Sequence, residues 1–241
     1  MMDCRQSRTA GAIAGVAIAV LLGAMTTAQE PNVAEVIHLV DAAVAARFDN
    51  ILGFTDIEHY AVYRGGDETH PAAEMTVKDT YQKGVGKTYT VLSQSGSSIF
   101  LHFGLKPLLS NEQTINLPGN VEKSWFSSAN YEMKLKPGGV QKVNGRDCFA
   151  FAITPKEKAT NMIDGTMWVD AQDGTLVKID GTASKNPSAF SGTTHMMRQY
   201  ANVNGFSMAV HARAESSSFL FGQTVVTIDY SDYHLVLKQG K

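Results

Sequence analysis

Cysteine is nearly absent from this chain. Its 241 residues hold two, Cys4 and Cys148, and Cys4 lies in an N-terminal segment built for removal. What remains cannot form an intrachain disulfide, so an exported form of the chain must rest on its core. Cys148 sits in the strand-like run Gly145-Arg-Asp-Cys-Phe-Ala-Phe-Ala-Ile-Thr154 with no base beside it, and reads as a buried structural thiol. Charge is sparse too: 18% of residues are charged and the formal net charge is −2. No basic run or patch stands out, which argues against nucleic acid and anionic membrane surfaces as partners. A long hydrophobic run is also missing. The stretch Ile13–Ala24 is shorter than the roughly 20 residues of a membrane-spanning helix.

Catalytic and metal signatures are missing as well. The seven histidines (His38, His59, His70, His102, His195, His211 and His234) show no spacing of metal ligands. Gly84-Val-Gly-Lys-Thr88 resembles the end of a phosphate-binding loop, but Tyr81 stands where its first glycine belongs, and a strand-former run follows instead of a helix. Asp170-Ala-Gln-Asp-Gly174 has too few oxygen ligands for a calcium loop and reads as a turn. No Gly-x-Ser-x-Gly elbow is present, and the carboxylates are scattered with no linear spacing that pairs them. The expectation is a protein that is not an enzyme, with no catalytic, metal or cofactor-binding residues.

What is present begins with an address. Arg5 and Arg8, the apolar stretch after them and the small residues Thr26-Thr-Ala28 have the layout of a secretory signal peptide over residues 1–28, cleaved near Ala28. The mature chain is then soluble and exported, and residues 29–241 form one domain. Asn32-Val-Ala-Glu35 is a capping pair, and Val33, Val36, Ile37, Val40, Val44, Phe48 and Ile51 make one apolar stripe, predicting an amphipathic helix that ends near Asn50–Thr55.

The period then changes to two. Strands are predicted at Ile57–Arg64, Ala73–Lys78 and Lys87–Ser93, then a short helix over about Pro107–Gln113. The apolar Ile99–Leu105 before it is either part of a kinked helix or a buried loop. A loop around Trp125-Phe126 follows. Further strands are expected around Tyr131–Leu135, Cys148–Ile153, Gly165–Asp170, Thr175–Asp180, Met196–Val203, Ser207–Glu215 and Thr224–Tyr230. About nine or ten strands and two helices with no βαβ alternation give an α+β class with an antiparallel sheet. One sheet face would carry Met75, Tyr131, Met133, Phe149, Phe151, Met167, Val169, Met208, Ile228 and Tyr230. These make either an ordinary core capped by the helices or the wall of a cavity that holds an acyl chain, a surface that methionine suits because it adapts its shape.

Three stretches resemble the LolA-like superfamily of periplasmic outer-membrane lipoprotein-sorting proteins. They are the signal peptide and amphipathic helix running into Arg47-Phe-Asp-Asn-Ile-Leu-Gly-Phe-Thr55, the hairpin Gly165–Ile179 (GTMWVDAQDGTLVKI), and Arg198-Gln-Tyr-Ala-Asn-Val-Asn-Gly-Phe206 with the later Ile228-Asp-Tyr-Ser-Asp-Tyr233. The resemblance implies a single, strongly curved half-barrel sheet with covering helices over an apolar cavity. It implies a soluble periplasmic, non-catalytic carrier of lipoprotein acyl chains or another lipid, lined by the ten residues above. The alternative is an envelope sensor or interaction module that uses the half-barrel as a platform for a protein partner, with Trp125-Phe126 as anchor. The Arg-Pro pair that marks true lipoprotein carriers has no counterpart; Lys83-Gly-Val-Gly86 stands in that region.

Overall fold

The computed structural model describes residues 32–185, 192–218 and 222–239, all within the compact unit Pro31–Lys241. The expected signal peptide, its cleavage position and Cys4 lie outside the described residues. Among these, no helix is long and apolar enough to cross a membrane.

Helix α1 (Val33–Asn50) starts where the capping pair predicts: the Asn32 side chain accepts a hydrogen bond from the Ala34 N–H at 3.2 Å. Val36, Val40 and Val44, at four-residue steps, form its buried stripe. Ile51 continues that stripe in sequence but instead opens β1 (Ile51–Arg64), so helix passes into strand without a loop. Strands β2 (Ala73–Gln82) and β3 (Gly86–Gly96) follow as antiparallel hairpins.

A helical run then comprises α2 (Ser98–Phe100), a π-helical turn Leu101–Leu105 and α3 (Lys106–Ile115). The apolar segment before Pro107 is therefore part of a helix, wound wide for one turn. A loop with a 3₁₀ turn (Glu122–Ser124) leads to β4 (Tyr131–Leu135) and β5 (Gln141–Val143). The remaining strands are β6 (Arg146–Pro155), β7 (Ile163–Asp170), β8 (Leu176–Ala183), β9 (His195–Val203), β10 (Phe206–Ser218) and β11 (Gly222–Leu237).

All eleven strands join one antiparallel sheet in the order β3-β2-β1-β11-β10-β9-β8-β7-β6-β4, with β5 also on β6. No pairing closes β3 onto β4 among the described residues, so the sheet is an open half-barrel. This topology explains the covering layer. β3 and β4 are the two edges, so the chain between them must cross the sheet, and it does so as α2, α3 and the following loop.

Two cores result. In one, Val36 and Val40 of α1 pack on Tyr131, Phe149, Phe151, Ile153, Met167, Val169, Ile179 and Tyr200. In the other, Phe100, Leu101, Leu105 and Leu109 of the helical run pack on Tyr60, Val62, Met75, Val77, Ala212 and Ile228. Each helix buries its stripe against a different part of the sheet. Every buried methylene contributes about 0.8 kcal/mol.

Candidate ligand cavity

Between the two cores the concave face is not filled. A cavity of about 400 Å³ lies there, walled by Val44 and Phe48 of α1, Ile51 and Phe54 of β1, Tyr81 of β2, Trp125 and Phe126 of the crossing loop, and Leu176 and Met208 from the far strands. That size is within the range of small-molecule sites. Phe48 and Trp125 stack at 4.2 Å between ring centroids, and Phe54 stacks on Tyr81 at 5.1 Å. A second hollow of about 290 Å³ shares Phe48, Tyr81, Asn116, Val121 and Trp125 with the first, so the stacked pair stands between the two. α1 is tied to the crossing loop by Asp41, which accepts from the Ser128 N–H at 2.7 Å and from its hydroxyl at 2.5 Å.

The wall is not purely apolar. On β1, the alternation that turns Phe54, Tyr60 and Val62 inward also turns in Asp56 and Glu58, only 2% and 1% exposed. Asp79 on β2 lies directly across from Asp56. The Lys87 ammonium inserts among these acids, 2.7 Å from Glu58, 3.1 Å from Asp79 and 3.1 Å from Glu112 of α3. Asp56, Glu58 and Asp79 have the mutual spacing of a cation site, and the cation on two of them is this ammonium. Burial opposes the charge on Lys87, but Glu112, Glu58 and Asp79 outweigh it and hold its pKa well above the ordinary value. Lys87 is thus a fixed cation and not a nucleophile.

Asp56 has no such partner: neither carboxylate oxygen is hydrogen-bonded. Burial, then the neighbouring Glu58, push its pKa up to about 7. Asp79 rises to about 6, from burial first and Glu58 second, with Lys87 opposing. Glu58 also accepts from the Tyr60 hydroxyl.

Two arginines complete the wall, Arg47 from the last turn of α1 and Arg198 from β9. Arg47 stacks over Phe48 at 5.3 Å, and its Nε is buried without an acceptor. Burial lowers its pKa from the ordinary value, against nearby Tyr200 and Tyr233. For Arg198 burial acts the same way, but Tyr200, Tyr230 and Glu112 outweigh it and keep the pKa raised.

Of the ten expected lining residues, the structure places Met208 and Tyr230 in the cavity wall. Tyr131, Phe149, Phe151, Met167 and Val169 are buried in the core under α1, and Met133 is half-buried against it. Met75 and Ile228 belong to the core under the helical run. These eight lie in the two cores, where the helices pack over them. The residues that line the cavity in their place come largely from α1, the first strand and the loop, none of which an inventory of central strand positions reaches. The Trp125-Phe126 pair is not an outward anchor: Trp125 stacks on Phe48 and Phe126 on Tyr131 at 5.2 Å.

The weaker motifs become structural parts. Lys83–Val85 makes the turn between β2 and β3, and Gly86 and Lys87 open β3 with Lys87 turned inward. Asp170 accepts from the Gln172 and Asp173 N–H groups and from Arg146 at 2.8 Å, which makes it a turn anchor. Cys148 is free and buried.

No protein-family model matches the sequence, and no curated protein matches it. Among solved structures, the chain is similar to a domain described as belonging to an outer-membrane lipoprotein-sorting protein from Vibrio parahaemolyticus, at 12% identity and a TM-score of 0.48, covering 83% of this chain and 91% of that one. It is similar to a DUF1329 family protein from Desulfovibrio piger at 15% identity and a TM-score of 0.43, over 86% and 93% of the two chains. A LolA superfamily protein from Nitrosomonas europaea gives 11% identity and a TM-score of 0.43, over 84% and 93%.

Proposed function

We propose that the protein is an exported, non-catalytic carrier or binding protein that holds an acyl chain, of a lipoprotein or of another lipid, in the cavity between its two cores. The cavity carries this reading. Between its two filled cores the sheet holds a cavity of about 400 Å³, walled by the aromatic side chains of Phe48, Phe54, Tyr81, Trp125 and Phe126 beside the charged groups. An acyl chain entering it gains about 0.8 kcal/mol per methylene removed from water. Release then needs the Phe48–Trp125 contact or the α1–loop ties to part.

The carboxylates with raised pKa values do not require catalysis. They belong to a charge network closed on Lys87, and such networks shift pKa values without turnover. The direct test is solvent extraction of the purified protein and mass spectrometry of what leaves it. Co-purified lipid with one or more acyl chains supports the reading. An empty protein that also fails to bind a fluorescent acyl probe contradicts it.

A protein partner is the second reading, and its support lies at the sheet edge. On edge strand β3, Val91 and Leu92 are exposed, Leu92 being the extra residue of a bulge opposite Thr76–Val77. An unpaired edge with apolar side chains invites strand addition. Leu92→Lys separates the readings: a sensor loses its partner, and a carrier keeps its acyl affinity.

A further inference from the structure

Arg47 and Arg198 line the cavity, yet among the described residues neither has a carboxylate within ion-pair distance. Other half-buried arginines are better served. Arg146 pairs with Asp170 at 2.8 Å and Asp173 at 3.5 Å, and Arg213 with Glu68 at 2.5 Å and Glu215 at 2.8 Å. Removing a guanidinium from water costs several kcal/mol unless a counter-charge meets it. Here the fold supplies phenols instead, Tyr200 and Tyr230 beside Arg198.

The cavity's carboxylates are committed elsewhere. Glu58, Asp79 and Glu112 close on Lys87, and Asp56 is held near neutrality among them. The strongest electrostatic neighbours of Asp56 are Glu58, Lys87, Asp79 and Glu112 and those of Arg47 are tyrosines and Arg198, while Glu112, ion-paired to Lys87, also acts on Arg198. The cavity is therefore polarised. An acidic end with its own lysine lies over β1–β3, and a guanidinium end lies between α1 and β9, where Arg198 shares Glu112 with Lys87 and Arg47 keeps a buried Nε without an acceptor.

We propose that the ligand is a single-chain amphiphile with an anionic head, its carboxylate or phosphate held at Arg47 and Arg198 and its chain lying along Phe54, Tyr81 and Met208. The proposal rests on the reading of the cavity as an acyl site and adds the chemistry of the head. The modest volume suits one chain. Guanidinium groups bind carboxylate and phosphate through paired N–H donors, and neighbouring tyrosine hydroxyls add a neutral donor. The acidic end repels the head and so fixes the direction in which the chain enters.

The test compares hexadecanoate, hexadecyl phosphate and hexadecanol, each below its aggregation limit, binding to the wild-type protein with Trp125 fluorescence as readout. Trp168, the other tryptophan, lies outside the cavity lining, and Trp168→Phe removes its signal. Both anions should bind about tenfold or more tightly than the alcohol, with affinity falling as salt rises. The tighter of the two anions identifies the head as carboxylate or phosphate. Arg47→Gln and Arg198→Gln should each erase most of that preference while hexadecanol affinity stays within about twofold. Equal affinity for all three ligands overturns the anionic-head proposal and leaves the acyl reading standing. No binding of any of them overturns the acyl reading itself. The wild-type comparison decides the matter even if a variant fails to fold.

Discussion

Asp56 and Asp79 face each other across β1 and β2, on the buried side, with only one lysine between them and two further acids. Like charges placed directly opposite on a sheet are destabilising, and here the strain is relieved by protons. The sign follows from linkage. Asp56 binds its proton more tightly when folded (about 7) than its ordinary value of 3.8, so this contribution to stability is complete below about pH 4 and is lost as pH rises through 7. Asp56→Asn should make the protein more stable than wild type at pH 8, by an amount on the order of 4 kcal/mol at most. The gain should shrink towards nothing at pH 4. Urea unfolding at the two pH values measures it, and a variant less stable than wild type at pH 8 would contradict the assignment. Phe151, fully buried in the core under α1, should behave differently. Phe151→Ala is expected to cost about 3–5 kcal/mol with acyl-probe affinity unchanged, because Phe151 does not line the cavity.

At this scale the sequence was informative about which positions turn inward and silent about what meets them. Asp56 and Glu58 share the phase of Tyr60 and Val62, and Asp79 that of Met75 and Val77. Carboxylates in the buried phase of two adjacent strands were the available signal. Their convergence on Lys87 depends on register, and on Glu112 arriving from the crossing helix, and neither is written in local spacing.

Among the elements, α1 and the β7–β8 turn are locked by one glycine. Gly174 has φ +69°, and a Cβ there would lie 2.5 Å from the backbone carbon of Leu39 and 2.7 Å from the nitrogen of Val40. Both reasons favour glycine, since the left-handed region strains other residues and backbone atoms cannot step aside. Gly174→Ala should lower the melting temperature and also weaken acyl-probe binding, because α1 carries Val44, Arg47 and Phe48 into the cavity wall. Binding that stays intact while stability falls would show that α1 position does not shape the site. Trp125→Ala should leave stability within about 1 kcal/mol, as for a half-buried loop residue, and speed probe release in stopped-flow mixing, since its stack on Phe48 stands between the two hollows. The cap at Asn32, the hairpins and the period-two strands were legible because each is a local pattern. The π-helical turn over Leu101–Leu105 was not, because an apolar run without polar punctuation fits a loop or a helix equally until the sheet beneath it is known.

For the whole molecule, topology does most of the positioning. Strands β3 and β4 are consecutive in sequence and lie at opposite edges of the sheet, so the chain between them must span the concave side. The antiparallel α+β class and the half-barrel were recoverable from pattern and resemblance. The cavity position was not: it is the space left where two helical elements meet the sheet at different places, a property of no single segment. An acyl chain is proposed to occupy that space. The most direct test of that proposal is photo-crosslinking with a fatty acid carrying a diazirine along its chain, followed by peptide mass spectrometry. Labels are predicted on Phe48, Phe54, Tyr81, Trp125, Met208 and Tyr230, competed away by hexadecanoate. Labelling confined to the exposed edge residues Val91 and Leu92, or labels that hexadecanoate does not displace, would contradict it.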